Sequence, residues 1–253
     1  LPTSQHVLLR SPRLSRRTHT SLRMPAEDLF DDIRSPNAAL RYPHENAVLS
    51  AAEEILSAQG LQRTPVAYFG VFLMTMQADG EKVTQAVSAA MLALLERAMS
   101  SEQVPQRLLL SKGPQIASSL VGVANAHAES VQVLSSALAC AARLLSAASV
   151  TKQAPTPDTL KLFNWMLAFV VHPSPQVRGK GQTTCRAALE QRPALSDTAS
   201  RFVDAQLGAA AARKDVELAL HLLGFVRSAL SAFEPAPLGI VANAIMRQPA
   251  SQQ

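Results

Sequence analysis

What this chain has little of narrows its class before any motif is read. Aromatic residues make up 4% of its 253 positions, with one Trp and two Tyr, and glycine occurs ten times. Strand cores draw on aromatic and β-branched side chains, so the composition excludes a sandwich or barrel and predicts an all-α chain built mainly from Ala and Leu. Cysteine occurs twice, at 140 and 185, each inside a helical apolar pattern. A disulfide-stapled secreted scaffold is therefore not expected, and both thiols read as small hydrophobes in a reducing compartment. Long apolar runs are missing as well, since the run from Leu160 to Val171 is interrupted by Lys161 and Asn164 and stops at His172-Pro173. A bilayer crossing takes about 18–20 apolar residues, so the reading predicts no spanning segment and no membrane partner. With 47% hydrophobic residues, disorder throughout is excluded and the length suits one sizeable core or an extended array.

Chemistry-bearing patterns are equally scarce. The six histidines stand at 6, 19, 44, 127, 172 and 221, with no pair at i, i+4 and no Cys or carboxylate at metal-ligand spacing. No serine sits in a Gly-x-Ser-x-Gly setting. Gly179-Lys180-Gly181-Gln182-Thr183 lacks the Ser or Thr directly after Gly-Lys, the glycine four positions upstream and the preceding strand that a phosphate-binding loop needs. No catalytic residue, cofactor, metal or small-molecule substrate is expected, and the chain reads as no enzyme.

What is present is helical periodicity. Apolar residues recur every three or four positions between proline-bearing breaks, predicting helices near 44–59, 65–77, 80–99, 105–127, 130–148, 157–171, 175–190, 196–213, 215–233 and 237–247. Lys112-Gly113-Pro114 should break or kink the fourth. Thr64-Pro65, Thr156-Pro157 and Ser174-Pro175 each offer a hydroxyl at N-cap and a proline at N1. One apolar stripe runs through Val131, Leu134, Leu138, Ala141 and Leu145, another through Val216, Leu220, Leu223 and Leu230, and the helix at 157–171 is apolar nearly all round, as a mid-array element should be. Paired helices begin at Pro65, Pro105, Pro157, 194–196 and Pro237, a period near 40 residues. That is the spacing of HEAT or armadillo pairs, so the expected fold is a right-handed α-solenoid of antiparallel helix pairs, with a closed bundle as the rival.

Charge is unevenly placed. The five arginines of residues 1–23, a stretch without acids, equal the whole formal excess of +5, leaving 19 basic against 19 acidic residues beyond it. Residues 1–23 read as a disordered basic tail or non-native extension, and their composition would also suit a transit peptide. The sequence starts at Leu1, Met24 is the first methionine that could initiate, and the expectation is the N-terminal part of a longer protein. Residues 24–43 form an acidic lead-in, where Glu27, Asp28, Asp31 and Asp32 alternate with Leu29, Phe30 and Ile33, a capping helix or a partner-docking stretch; residues 44–250 are the solenoid. Between 178 and 214 seven basic side chains face three acidic ones. Lys180, Arg186, Arg201 and Lys214 are the candidate contacts to a polyanion such as RNA, to phosphates rather than bases because only Phe202 could stack. A solvated helix face is the plainer reading of the same charges.

The densest local pattern is Val170-Val171-His172-Pro173-Ser174-Pro175-Gln176-Val177-Arg178. It resembles a HEAT inter-helix turn, in which Pro173 and Pro175 shape the turn, Val177 enters the core and Arg178 packs along the turn ladder. Together with Pro43-His44-Glu45, the stretch from Glu54 to Gly60, Tyr68-Phe69 and Leu73-Met74-Thr75-Met76, it resembles the N-terminal HEAT-repeat region of the ribosomal RNA-processing protein 12 family, over residues from about 40 to 247. The resemblance implies a nuclear and nucleolar α-solenoid without catalytic residues that joins pre-ribosomal particles, ribosomal RNA and other assembly factors, supports ribosomal RNA maturation and assists nuclear export of ribosomal subunits. The alternative is a generic solenoid adaptor, transport-receptor-like or coat-like, that binds proteins only.

Overall fold

The structure, a computed structural model, describes residues 29–35, 37–79, 82–149 and 154–229. Two short helices, α1 (Asp31–Arg34) and α2 (Ala38–Arg41), precede α3 (Pro43–Ala58), α4 (Pro65–Asp79), α5 (Gln85–Met99), α6 (Gln106–Ala126), α7 (Val131–Ser149), α8 (Pro157–Ala168), α9 (Pro175–Gln191), α10 (Ser196–Arg213) and α11 (Val216–Ala229). The described residues contain no strand. In one row α3, α5, α7, α9 and α11 stack in turn; α4, α6, α8 and α10 form a second row against them. Each pair (α4 with α5, α6 with α7, α8 with α9, α10 with α11) therefore leans on the next, and one continuous apolar cluster runs from Phe30 to Ala229. That is an all-α solenoid of stacked pairs.

Starts and stops follow local chemistry. The Thr64 hydroxyl accepts from Ala67 N at 3.2 Å and the Thr156 hydroxyl from Thr159 N at 3.2 Å, both caps ahead of a proline. Ser174 departs from expectation, because its side chain makes no cap bond. Its own amide instead donates to His172 Nδ1 at 3.1 Å, an Asx-like turn that closes the corner without the hydroxyl. At the other end of α10, Lys214 takes φ 55°, and Asp215 N reaches back to Ala210 O at 2.9 Å while the Asp215 carboxylate accepts from Leu218 N. A left-handed cap and an N-cap thus fit in two residues.

Several expectations need correcting. The third long helix begins at Gln85 and not at 80. The fourth does not break at Lys112-Gly113-Pro114 but continues as one helix from Gln106 to Ala126. Pro114 lies on its exposed side, where water can reach the carbonyl that lost its donor, while Leu109, Ile116, Leu120 and Val123 hold the other side in the core. The 157–171 segment is α8 followed by a single 3-10 turn, Phe169–Val171. On α7 burial is wider than one stripe, because the helix touches α5, α6, α8 and α9. By length and composition α7 could cross a bilayer, against the expectation of no such segment, but its neighbours cover it as the central helix of the array. On α11 the assigned stripe is wrong: Val216 is 69% and Leu220 62% exposed, and the packed face is Leu222, Phe225, Val226 and Ala229. Both faces have helical spacing, and only the positions of α9 and α10 decide between them. Leu230, the 237–247 helix and the 1–23 tail lie outside the described residues.

Candidate functional site

The turn between α8 and α9 is held by several side-chain bonds to backbone. Pro175 opens α9, and Val177 is fully buried. Arg178 Nη1 donates to the carbonyls of His172 at 2.9 Å and Pro173 at 3.1 Å, so the guanidinium closes the turn it follows. His172 stacks on Phe169, centroids 5.9 Å apart, and Phe169 meets Trp165 edge-on at 4.9 Å. Burial, together with the Arg178 charge, holds the His172 imidazole below its ordinary range, which keeps Nδ1 free to accept from Ser174. One turn further, Gln182 Nε2 donates to Val170 O at 3.2 Å and to His221 O at 3.3 Å, joining the corner to α11 of the next pair.

Gly181, rejected above as part of a phosphate loop, has a packing role. A Cβ there would stand 2.8 Å from the Phe169 carbonyl oxygen and 2.9 Å from its carbon, so α9 can lie this close to the 3-10 turn only without a side chain. The parts that sequence reasoning missed are Gly181 and Gln182. The available signal was a glycine and an amide one turn after the Val-Arg pair.

The four candidate polyanion contacts come from two rows of the array. Lys180 and Arg186 belong to α9 in one row, Arg201 to α10 in the other, and Lys214 is the C-cap of α10. Arg186 has Glu190 at 3.6 Å, and Arg201 pairs with Asp197, each one turn along its own helix. Lys180 and Lys214 are exposed and make no ion pair among the described residues, and Lys214 carries the left-handed cap besides.

The lead-in segment is built differently. Phe30 is fully buried, edge-on to Tyr68 at 5.0 Å and Phe72 at 6.1 Å, with the Arg97 guanidinium 5.6 Å above its ring. Asp32 binds that same Arg97 at 2.6 Å, which draws its carboxyl below the usual range. Arg34 bonds Glu53 at 2.8 Å and the Tyr68 hydroxyl at 2.8 Å; that hydroxyl donates to Glu53 at 2.9 Å, and Arg63 completes the set at 3.0 Å from Glu53. Burial, then the Glu53 carboxylate, pushes the Tyr68 phenol up. Glu27 and Asp28 lie outside the described residues.

Neither cysteine is prepared as a nucleophile. The two thiols are fully buried and burial pushes both far above their ordinary range. The corners and rows are instead those of a repeat scaffold, and the comparisons agree. Residues 41–230 match the family described as "RRP12-like, N-terminal HEAT repeats". A human RRP12-like protein is 27% identical over 208 residues, 77% of this chain and 15% of that protein. A chicken RRP12-like protein is 26% identical over 216 residues, 79% of this chain and 16% of its own length. This chain thus spans about one-sixth of the curated relatives it matches. Since the family match covers all the stacked pairs from α3 to α11, the chain belongs to the RRP12-like family and corresponds to its N-terminal HEAT repeats.

Proposed function

We propose that the chain is a non-catalytic scaffold of ribosome assembly, acting in the nucleus and nucleolus on pre-ribosomal particles and their assembly factors. In this reading it supports ribosomal RNA maturation and the export of ribosomal subunits. The single observation that carries the reading is the family match across residues 41–230, over an array whose corners are structural and whose thiols are inert. RNA contact is assigned to phosphates through Lys180, Arg186, Arg201 and Lys214, without base reading, since the segment offers Phe202 alone for stacking.

Ultraviolet cross-linking of the chain in nuclear extract, followed by sequencing of the bound RNA, tests this. Enrichment of ribosomal RNA precursors over messenger RNA is expected. Recovery of proteins alone, unchanged between low and high salt, would contradict it and support the protein-only adaptor. One observation favours that second reading: Arg186 and Arg201 already have carboxylates one turn away, so half of the assigned cations are partly neutralised.

A further inference from the structure

Helix α11 has two apolar faces and neighbours for one of them. Leu222, Phe225, Val226 and Ala229 pack into the array, whereas Val216 and Leu220, one turn apart, are more than half exposed, and Leu223 continues that side half-buried. Inside the first row both faces are covered: α5, α7 and α9 each lie between two row neighbours, while among the described residues α11 has only α9. The second row ends in the same way. Helices α4, α6, α8 and α10 pack each on the next, and no described helix follows on the far side of α10. Between 205 and 212 every exposed position of α10 is Ala or Gly, and a Cβ on Gly208 would meet nothing within 4 Å, so a further helix has room to approach.

The chain itself carries a segment that fits this place. Six residues lead from α3 to α4 (59–64) and from α5 to α6 (100–105), seven from α7 to α8 (150–156) and four from α9 to α10 (192–195). Between Ala229 and Pro237 there are again seven (230–236). Pro65 and Pro157 open α4 and α8, and Pro237 stands where the next second-row helix would open. Leu238, Val241, Ala242 and Ile245 then recur at the spacing of one apolar helix face, with no acid from 237 to 247. We propose that residues 237–247 dock as a helix on Val216, Leu220 and Leu223 of α11 and take the next place in the second row, beside α10. The short connection holds this segment at a local concentration that a separate partner does not reach. The inference goes beyond the scaffold reading and does not rest on it.

The test reads how fast a maleimide labels the full chain carrying Leu220→Cys, against the full chain carrying Met74→Cys, a position of similar exposure on α4. The native thiols, both fully buried, give little background. The thiol introduced at 220 should react at least tenfold more slowly than the one introduced at 74, and adding Val241→Asp with Ile245→Asp should restore the fast rate. Equal rates at 220 and 74 overturn the proposal, as does protection at 220 that survives the two aspartates. Protection that rises with protein concentration also overturns it, by assigning the face to a second copy of the chain. Hydrogen exchange on the unmodified chain decides the matter whichever variants fold: amides of 238–245 should exchange at least tenfold more slowly than those of an unfolded peptide, and exchange at the unfolded rate overturns the proposal.

Discussion

Two regions of the array are joined by opposite means. At the start, long side chains meet other side chains: Arg34 with Glu53 and Tyr68, Asp32 with Arg97, Phe30 in an aromatic box. Around the α8–α9 corner, side chains meet backbone: Arg178 on two carbonyls, Gln182 on two more, Gly181 against the Phe169 peptide. The first kind of joint depends on charges that stay partly exposed. The second is nearly independent of what surrounds it, since carbonyls cannot titrate or leave, and it suits a repeat whose neighbours must stack in one register.

The comparison can be broken most severely in the apolar cluster that both regions share. Leu167→Asp places a carboxylate at a fully buried position of α8 and should cost more than about 3 kcal/mol, melting the pairs on both sides. Chemical denaturation followed by helical circular dichroism would read this as a large fall in midpoint or as no folded protein. Gly181→Ala should follow, at about 1–3 kcal/mol, because the new methyl meets backbone that cannot rotate away. The contrasting control is Gly179→Ala, which has open space within 4 Å and should change the melting temperature little or raise it.

Smaller effects separate the joints by pH. The His172 value is depressed in the fold, so the corner's contribution is fully present above the ordinary histidine pKa near 6.5 and is lost as pH falls through the lower folded value. Asp32 is likewise depressed, so its contribution persists above about pH 4 and is lost in stronger acid. Melts between pH 7.5 and 5 should therefore show a decline that His172→Asn reduces, since Asn can still accept from the Ser174 amide without titrating. Smallest of all, Lys214→Gly should stabilise by about 0.5–1 kcal/mol by relieving the positive φ, visible as a slight rise in melting temperature.

The same contrast explains what could be read from residues alone. The corner was legible because its bonds span two to six positions, from Ser174 to His172 and from Arg178 to His172, so the motif contains its own partners. Helix pairs were legible for the same reason, as capped and proline-opened periodic segments. The lead-in joint was not: its partners lie 19, 34 and 65 residues apart, and no spacing rule links Arg34 to Glu53 or Arg97 to Asp32. The α11 stripe failed because two apolar faces shared one periodicity, and the helix does not break at Pro114 because a helix held along its buried side tolerates one missing bond on its exposed side. The four cations were chosen by linear density, which says nothing of rows, and the array distributes them over two.

The most direct test of the scaffold reading is the affinity of the chain for a duplex fragment of ribosomal RNA as a function of salt. Three forms are compared: unmodified, Lys180→Glu with Lys214→Glu, and Arg186→Glu with Arg201→Glu. The account predicts a steep salt slope for the unmodified chain, flattened by up to about 0.9 per lost phosphate contact. The lysine pair should show the larger flattening, because the two arginines are already partly neutralised by Glu190 and Asp197. Variants that keep their helical spectrum and still bind with unchanged affinity and unchanged slope would contradict phosphate contact through these residues and leave the protein-only adaptor standing.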